Sequence, residues 1–168
     1  MKFIADVMLG KLARRLRLLG HDVLYDRTSD DNTVIRISLE QGRVILTRDC
    51  GLAQRPLAAN HLFIEANDPA GQVLQVLSFL DRSFPSERPV PFTRCSACNS
   101  LLVPVIKQDV KDMVPEYVYH GHDEFLQCPG CRRVYWPGTH IERMKQSPDI
   151  WGKMAKTTGS RSARKQET

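Results

Sequence analysis

The sequence predicts an α/β protein: a parallel sheet covered by helices, followed by a small module held by four cysteines. Three observations carry this expectation. Short apolar strands alternate with amphipathic helices over the first 80 residues, aspartates follow two of those strands, and two Cys-x-x-Cys pairs occupy the second half. The 168 residues, 42% hydrophobic and 26% charged, have the composition of a soluble domain able to bury a core. No apolar run reaches the roughly 20 residues needed to cross a bilayer. Asp6 falls where a signal peptide requires its apolar stretch. Neither secretion nor membrane insertion is expected, and a cytoplasmic location is.

Phe3-Ile4-Ala5 is a short apolar run ending at Asp6, the pattern of a buried strand. Leu9, Leu12, Ala13, Leu16 and Leu19 then recur at helical spacing. Lys11, Arg14, Arg15 and Arg17 fall mainly on the opposite side, and Gly20 supplies the stop. Asp22 to Tyr25 forms a second strand. Asp31 is placed to cap a helix carrying Val34, Ile35, Ile37, Ser38 and Leu39, which ends at Gly42. Val44-Ile45-Leu46 is the clearest strand and runs into Thr47-Arg48-Asp49. Leu62 to Ile64 makes a fourth strand, and Pro69 opens a helix through Val73, Val76, Leu77 and Leu80. Right-handed crossovers in such a sheet bring every strand's carboxyl end to one edge, where ligands of open α/β sheets bind.

Residues 83–94 hold three prolines and no period, and read as a linker. Beyond it lie four of the five cysteines and strand-like pieces at Phe125 to Gln127 and Arg133 to Trp136. The formal net charge of +5 is concentrated in the last sixteen residues, with five basic residues and one acidic. This tail has few apolar residues and is expected to be disordered. It suits a polyanionic partner such as RNA, or serves only to solubilise the end.

Cys95-Ser-Ala-Cys98 and Cys128-Pro-Gly-Cys131 are separated by 29 residues. Each pair fits a tight knuckle that aims both sulfurs at one point, and two knuckles close a tetrahedral thiolate site suited to zinc. Four thiolates leave no open coordination position, so this zinc is structural, replacing a core that about 60 residues can barely supply. Disulfides and a redox Cys-x-x-Cys are the weaker readings. Cys50 is a spare thiol, His120 and His122 are loop residues, and His140 stays open as a further zinc ligand.

Asp6 and Asp49 follow the first and third strands, so both project from the carboxyl edge, near enough to share a cation. Asp31 either caps its helix or joins them. Mg²⁺ or Mn²⁺ takes oxygen ligands of this kind, typically one or two carboxylates with substrate phosphate. Arg48 beside Asp49 is a candidate phosphate clamp. The basic stripe after Asp6 is either a phosphate-backbone contact or an ordinary solvated helix face.

Ile4-Ala5-Asp6, Leu12-Ala13-Arg14-Arg15-Leu16-Arg17-Leu18-Leu19-Gly20, Gly42-Arg43-Val44-Ile45-Leu46-Thr47-Arg48-Asp49 and the segment Val134-Tyr135-Trp136-Pro137-Gly138-Thr139-His140 resemble the Mut-seven C-terminal RNase family. That family is described as a PIN-fold RNase domain carrying a zinc ribbon, and Thr139 stands where its signature has Ser. The resemblance implies a PIN-like nuclease domain over 1–85, a linker at 86–92, a zinc ribbon over 93–145 and a basic tail at 146–168. It implies a metal-dependent ribonuclease with acidic residues at Asp6, Asp31 (or Asp30) and Asp49. Asp6 and Asp49 would bind Mg²⁺ or Mn²⁺, and Cys95, Cys98, Cys128 and Cys131 would bind zinc. PIN-fold sites usually have a fourth acid, which Glu65 or Asp68, after the fourth strand, could provide. The rival reading is a non-catalytic RNA- or partner-binding adaptor built on the ribbon and tail.

Overall fold

A computed structural model describes residues 1–84 and 89–138. His140, Thr139, the end of the expected ribbon and the basic tail lie outside the described residues. Four strands, β1 (Lys2–Ala5), β2 (Asp22–Tyr25), β3 (Val44–Thr47) and β4 (His61–Phe63), form an all-parallel sheet in the order β2-β1-β3-β4. β1 pairs with β2 as Ala5↔Tyr25 and with β3 as Ile4↔Ile45, and β3 pairs with β4 as Leu46↔Leu62. The α/β class expected from the sequence is the one observed.

The helices follow from local chemistry. Asp6 caps a single 3-10 turn, Val7–Leu9, which leads into α1 (Gly10–Leu18). Leu12, Ala13 and Leu16 are buried along one side of α1. Gly20, at φ +89°, then turns the chain against the Val90 carbonyl, a place closed to any Cβ. α2 (Asp31–Gln41) ends at the left-handed Gly42 and packs Val34 and Ile35 on Ile4 and Ile45. Its cap differs from expectation: Asp30, in extended conformation, accepts from the Thr33 amide at 2.8 Å, and Asp31 is the first helical residue. Two adjacent aspartates both satisfy the sequence rule, and backbone conformation selects the first. Asp49 caps a short helix, α3 (Cys50–Ala53), and Asp68 caps α4 (Pro69–Ser83), which contacts α1. Because the chain steps to one side of β1 and then back past it to β3, right-handed crossovers put α1 and α2 on opposite faces.

The second sheet is antiparallel: β5 (Val103–Val105), β6 (Phe125–Gln127) and β7 (Val134–Tyr135), in that order. Between β5 and β6 a short helix, α5 (Glu116–Gly121), places Val118 on Phe125, Val110 and Val114 in a small apolar cluster. Both sheets lie within one compact unit, Met1–Trp136.

The joint between the two sheets is polar and buried. Arg17, 3% exposed, donates Nε to the Val23 carbonyl at 2.8 Å and Nη1 to the carbonyls of Ser96 (3.2 Å) and Ala97 (2.7 Å). The Asn99 side chain accepts from the Val23 amide and donates to Asp22 at 2.9 Å. Asp22 also pairs with Arg43 at 2.7 Å. Burial opposes its charge, yet Arg43 and Asn99 hold the carboxyl below the usual range. Arg17 was expected on the exposed basic face. It lies instead on the buried side, because helical position alone does not show that a later segment returns to cover it.

Two outcomes follow from this packing. Arg17→Met keeps the aliphatic stem but removes every donor, so urea unfolding should show a loss of about 2–4 kcal/mol; an unchanged midpoint would mean the clamp carries no stability. His21, buried edge-to-face on Phe3, is pushed down to about 4 by burial, with the amino-terminal charge adding to the effect. A folded-state value below the unfolded one means full stability above about pH 6.5, lost as pH falls towards 4, and about 3 kcal/mol in all. His21→Phe should flatten the pH dependence of the urea midpoint across that window relative to wild type.

Candidate metal centres

The reversal of strand order between β1 and β3 makes a topological switch point, the place where open α/β sheets bind ligands. The Asp6 amide donates to the Leu46 carbonyl at 2.9 Å, so Asp6 is fixed at the carboxyl end of β1 directly beside the end of β3. Asp6 is 4% exposed. Oδ1 accepts from the Val7 amide at 2.6 Å, and Oδ2 accepts from Thr47 Oγ1 at 2.9 Å. Thr47 Oγ1 in turn accepts the Asp49 amide at 2.9 Å. Asp49 is exposed, and its Oδ1 accepts the amides of Gly51 and Leu52 at the start of α3. Its Oδ2 has no hydrogen bond among the described residues. The two aspartates thus stand on neighbouring strand ends, joined by one hydroxyl.

The other acidic candidates lie apart from this link. Asp31 Oδ2 is 3.9 Å from Arg55 Nη1, and Arg55 also binds the Asn32 side chain. Asp30 and Asp68 are engaged as helix caps, and Glu65 is exposed, with its amide donating to Gln75. Arg48 binds the side chain of Asn67. Among the described residues, the four cysteines are the one set of three or more His, Cys, Asp or Glu side chains gathered closely enough to hold a metal ion. In this conformation Asp31 therefore does not converge with Asp6 and Asp49. Of the basic stripe, Lys11 and Arg14 are exposed and Arg15 is partly so.

The sulfurs of Cys95, Cys98, Cys128 and Cys131 all lie within 4.8 Å of one another, with 3.2 Å between Cys98 and Cys128 and 3.5 Å between Cys95 and Cys131. Tetrahedral zinc with bonds near 2.3 Å spaces its sulfurs at about 3.8 Å, so the cluster fits that ion. The two knuckles are built alike. The Asn99 amide reaches the Cys95 carbonyl at 3.0 Å and the Arg132 amide reaches that of Cys128 at 2.9 Å, and both Asn99 and Arg132 adopt positive φ. The amides of Cys98 and Cys131 point at the Sγ atoms of Cys95 and Cys128. Cys50 lies apart at the start of α3.

Two partners of the sulfurs escape sequence reasoning. The Tyr135 hydroxyl sits 3.0 Å from Cys95 Sγ; burial and the neighbouring sulfur push its phenol up to about 12, so it stays a donor. The Ser100 hydroxyl holds the Cys98 thiol down at about 6. Thr47 escapes it likewise, although it stands two residues before Asp49. Metal analysis of the purified chain should find one zinc per molecule, lost in Cys128→Ser together with several degrees of melting temperature; full zinc content in that variant would rule out the four-thiolate site.

A family model described as the Mut7-C RNAse domain matches residues 1–147, covering both sheets and all four cysteines of the cluster. No curated protein and no solved structure matches the chain. With the parallel sheet, the aspartates at its switch point and the thiolate cluster in place, a match over most of the length assigns the chain to the Mut7-C RNAse domain family.

Proposed function

We propose that this protein is a metal-dependent ribonuclease that hydrolyses RNA phosphodiesters at the carboxyl edge of its parallel sheet, and that its thiolate cluster holds structural zinc. The observation that carries the reading is the Asp6–Thr47–Asp49 link at the β1/β3 switch point. It sets two hard oxygen donors on adjacent strand ends, the donor type that Mg²⁺ and Mn²⁺ select. When bound, such a cation supplies Lewis-acid polarisation of the phosphodiester and lowers the pKa of the attacking water.

The chain's own groups define the remaining roles. Asp6, fixed on both oxygens, is the rigid ligand, and Asp49, with Oδ2 uncommitted, is the adaptable one. Asp31 completes the anionic edge on exchanging Arg55 for the cation. Arg48, whose side chain is tied among the described residues to the exposed Asn67 alone, is free to turn to a phosphate oxygen. Lys11 and Arg14 extend positive charge along α1 from the turn that follows Asp6. We assign 1–85 to the PIN-like nuclease domain, 86–92 to the linker, 93–145 to the ribbon and 146–168 to the tail, and we place the protein in the cytoplasm, where its cysteines stay reduced. The pairing of Asp31 with Arg55 favours a second reading, a non-catalytic RNA-binding adaptor, which predicts salt-dependent binding indifferent to Mg²⁺ and to the aspartates.

With Mn²⁺ and a mixed RNA pool, wild-type protein should cleave and EDTA should abolish cleavage. Asp6→Asn should lower the rate by about 100-fold or more. Equal cleavage by wild type and Asp6→Asn would exclude this mechanism, whereas RNA binding without cleavage by wild type would leave the adaptor.

A further inference from the structure

We propose that Thr47 is the positioning residue of the carboxylate centre: its hydroxyl locks Asp6 to the main chain of Asp49, so that the ends of β1 and β3 present their oxygens as one preformed edge. The inference rests on the metal-site reading above.

Thr47 is the last residue of β3 and is fully buried. A hydroxyl carries one proton and two lone pairs. Here a lone pair is occupied by the Asp49 amide, and Asp6 Oδ2, which can only accept when ionised, takes the proton at 2.9 Å. The Val7 amide holds the other oxygen, so the Asp6 carboxylate is pinned at both ends by neutral donors. Among the described residues no cationic side chain pairs with Asp6. Its charge is therefore held by directional hydrogen bonds that leave lone pairs for a cation. On the far side, the amide bound by Thr47 belongs to the residue whose carboxylate caps α3. One hydroxyl thus sets both the rotamer of the first ligand and the backbone position of the second.

Valine matches threonine in size but removes both functions. It leaves Asp6 Oδ2 without its side-chain donor and the Asp49 amide without an acceptor. Serine keeps both. Loss of an outer-shell partner of a metal ligand typically costs 10–100-fold in affinity.

The test is Mn²⁺ titration of the full, zinc-loaded chain, followed by electron paramagnetic resonance of the free ion, with circular dichroism to confirm folding. Thr47→Val should weaken Mn²⁺ binding about 10–100-fold, Thr47→Ser should stay within about threefold of wild type, and Thr47→Val should add little on an Asp6→Asn background. Wild-type affinity in a folded Thr47→Val would overturn the role of Thr47 while leaving the metal site standing. Absence of Mn²⁺ binding by wild type would overturn both. Should Thr47→Val fail to fold, Mg²⁺ titration of wild type by amide NMR decides. The Val7, Thr47 and Asp49 amides should shift together with a single saturation, and saturation that leaves the Asp49 amide unmoved would overturn the proposal.

Discussion

The parallel pairing of β1 with β3 is the constraint on which the rest of this molecule depends. These are the central strands, buried on both faces, and their register is set by Ile4 facing Ile45 beneath α2. A one-residue slip would turn every side chain to the opposite face, so the apolar pattern holds the alignment firmly. Asp6 and Thr47 are the residues that emerge where that alignment ends. An aspartate 4% exposed is tolerated there because strand-end amides and a hydroxyl meet it, and the adjacent loop brings Asp49 to the surface. The chemistry proposed for this edge is thus a consequence of core packing, with loop conformation adding only the exposed ligand.

The opposite edge of the same sheet has a different task. Arg17 at the end of α1, Asp22 at the start of β2 and Arg43 just before β3 all lie at the amino ends of the strands. There they hold the first cysteine knuckle through its main-chain carbonyls and through Asn99. Asn99 is also the positive-φ residue that completes that knuckle. The thiolate cluster is therefore braced against the edge remote from Asp6 and Asp49, which separates it from the proposed reactive centre. It also directs the first knuckle to stabilisation of the sheet at its amino edge.

Much of this architecture is legible in the sequence because it follows from local rules. Apolar runs such as Val44 to Leu46 declare buried strands, Gly20 and Gly42 declare helix ends, and paired Cys-x-x-Cys motifs declare knuckles whatever the intervening length. The features that escape depend on what lies across space. Arg17 has the helical phase of a boundary residue, and only the return of residues 92–99 buries it. Asp30 and Asp31 are equivalent by the capping rule until backbone conformation separates them. β5 is concealed by Pro104, which an edge strand accommodates, and α5 by its six-residue length. Thr47 is concealed by its ordinary identity, since a threonine ending a strand signals nothing until its two partners are seen. For the same reason the expected cluster of three aspartates is not formed in this conformation: Thr47 links Asp6 to the main chain of Asp49, and Asp31 lies beside Arg55.

The central claim is that Asp6 and Asp49 together hold a divalent cation at the switch point. Anomalous diffraction from crystals of the protein soaked in Mn²⁺ tests it most directly. The account predicts a peak at the carboxyl edge within bonding distance of an oxygen of each aspartate, and its loss in Asp6→Asn. A map with no peak there, or with manganese bound elsewhere on the molecule, would contradict it.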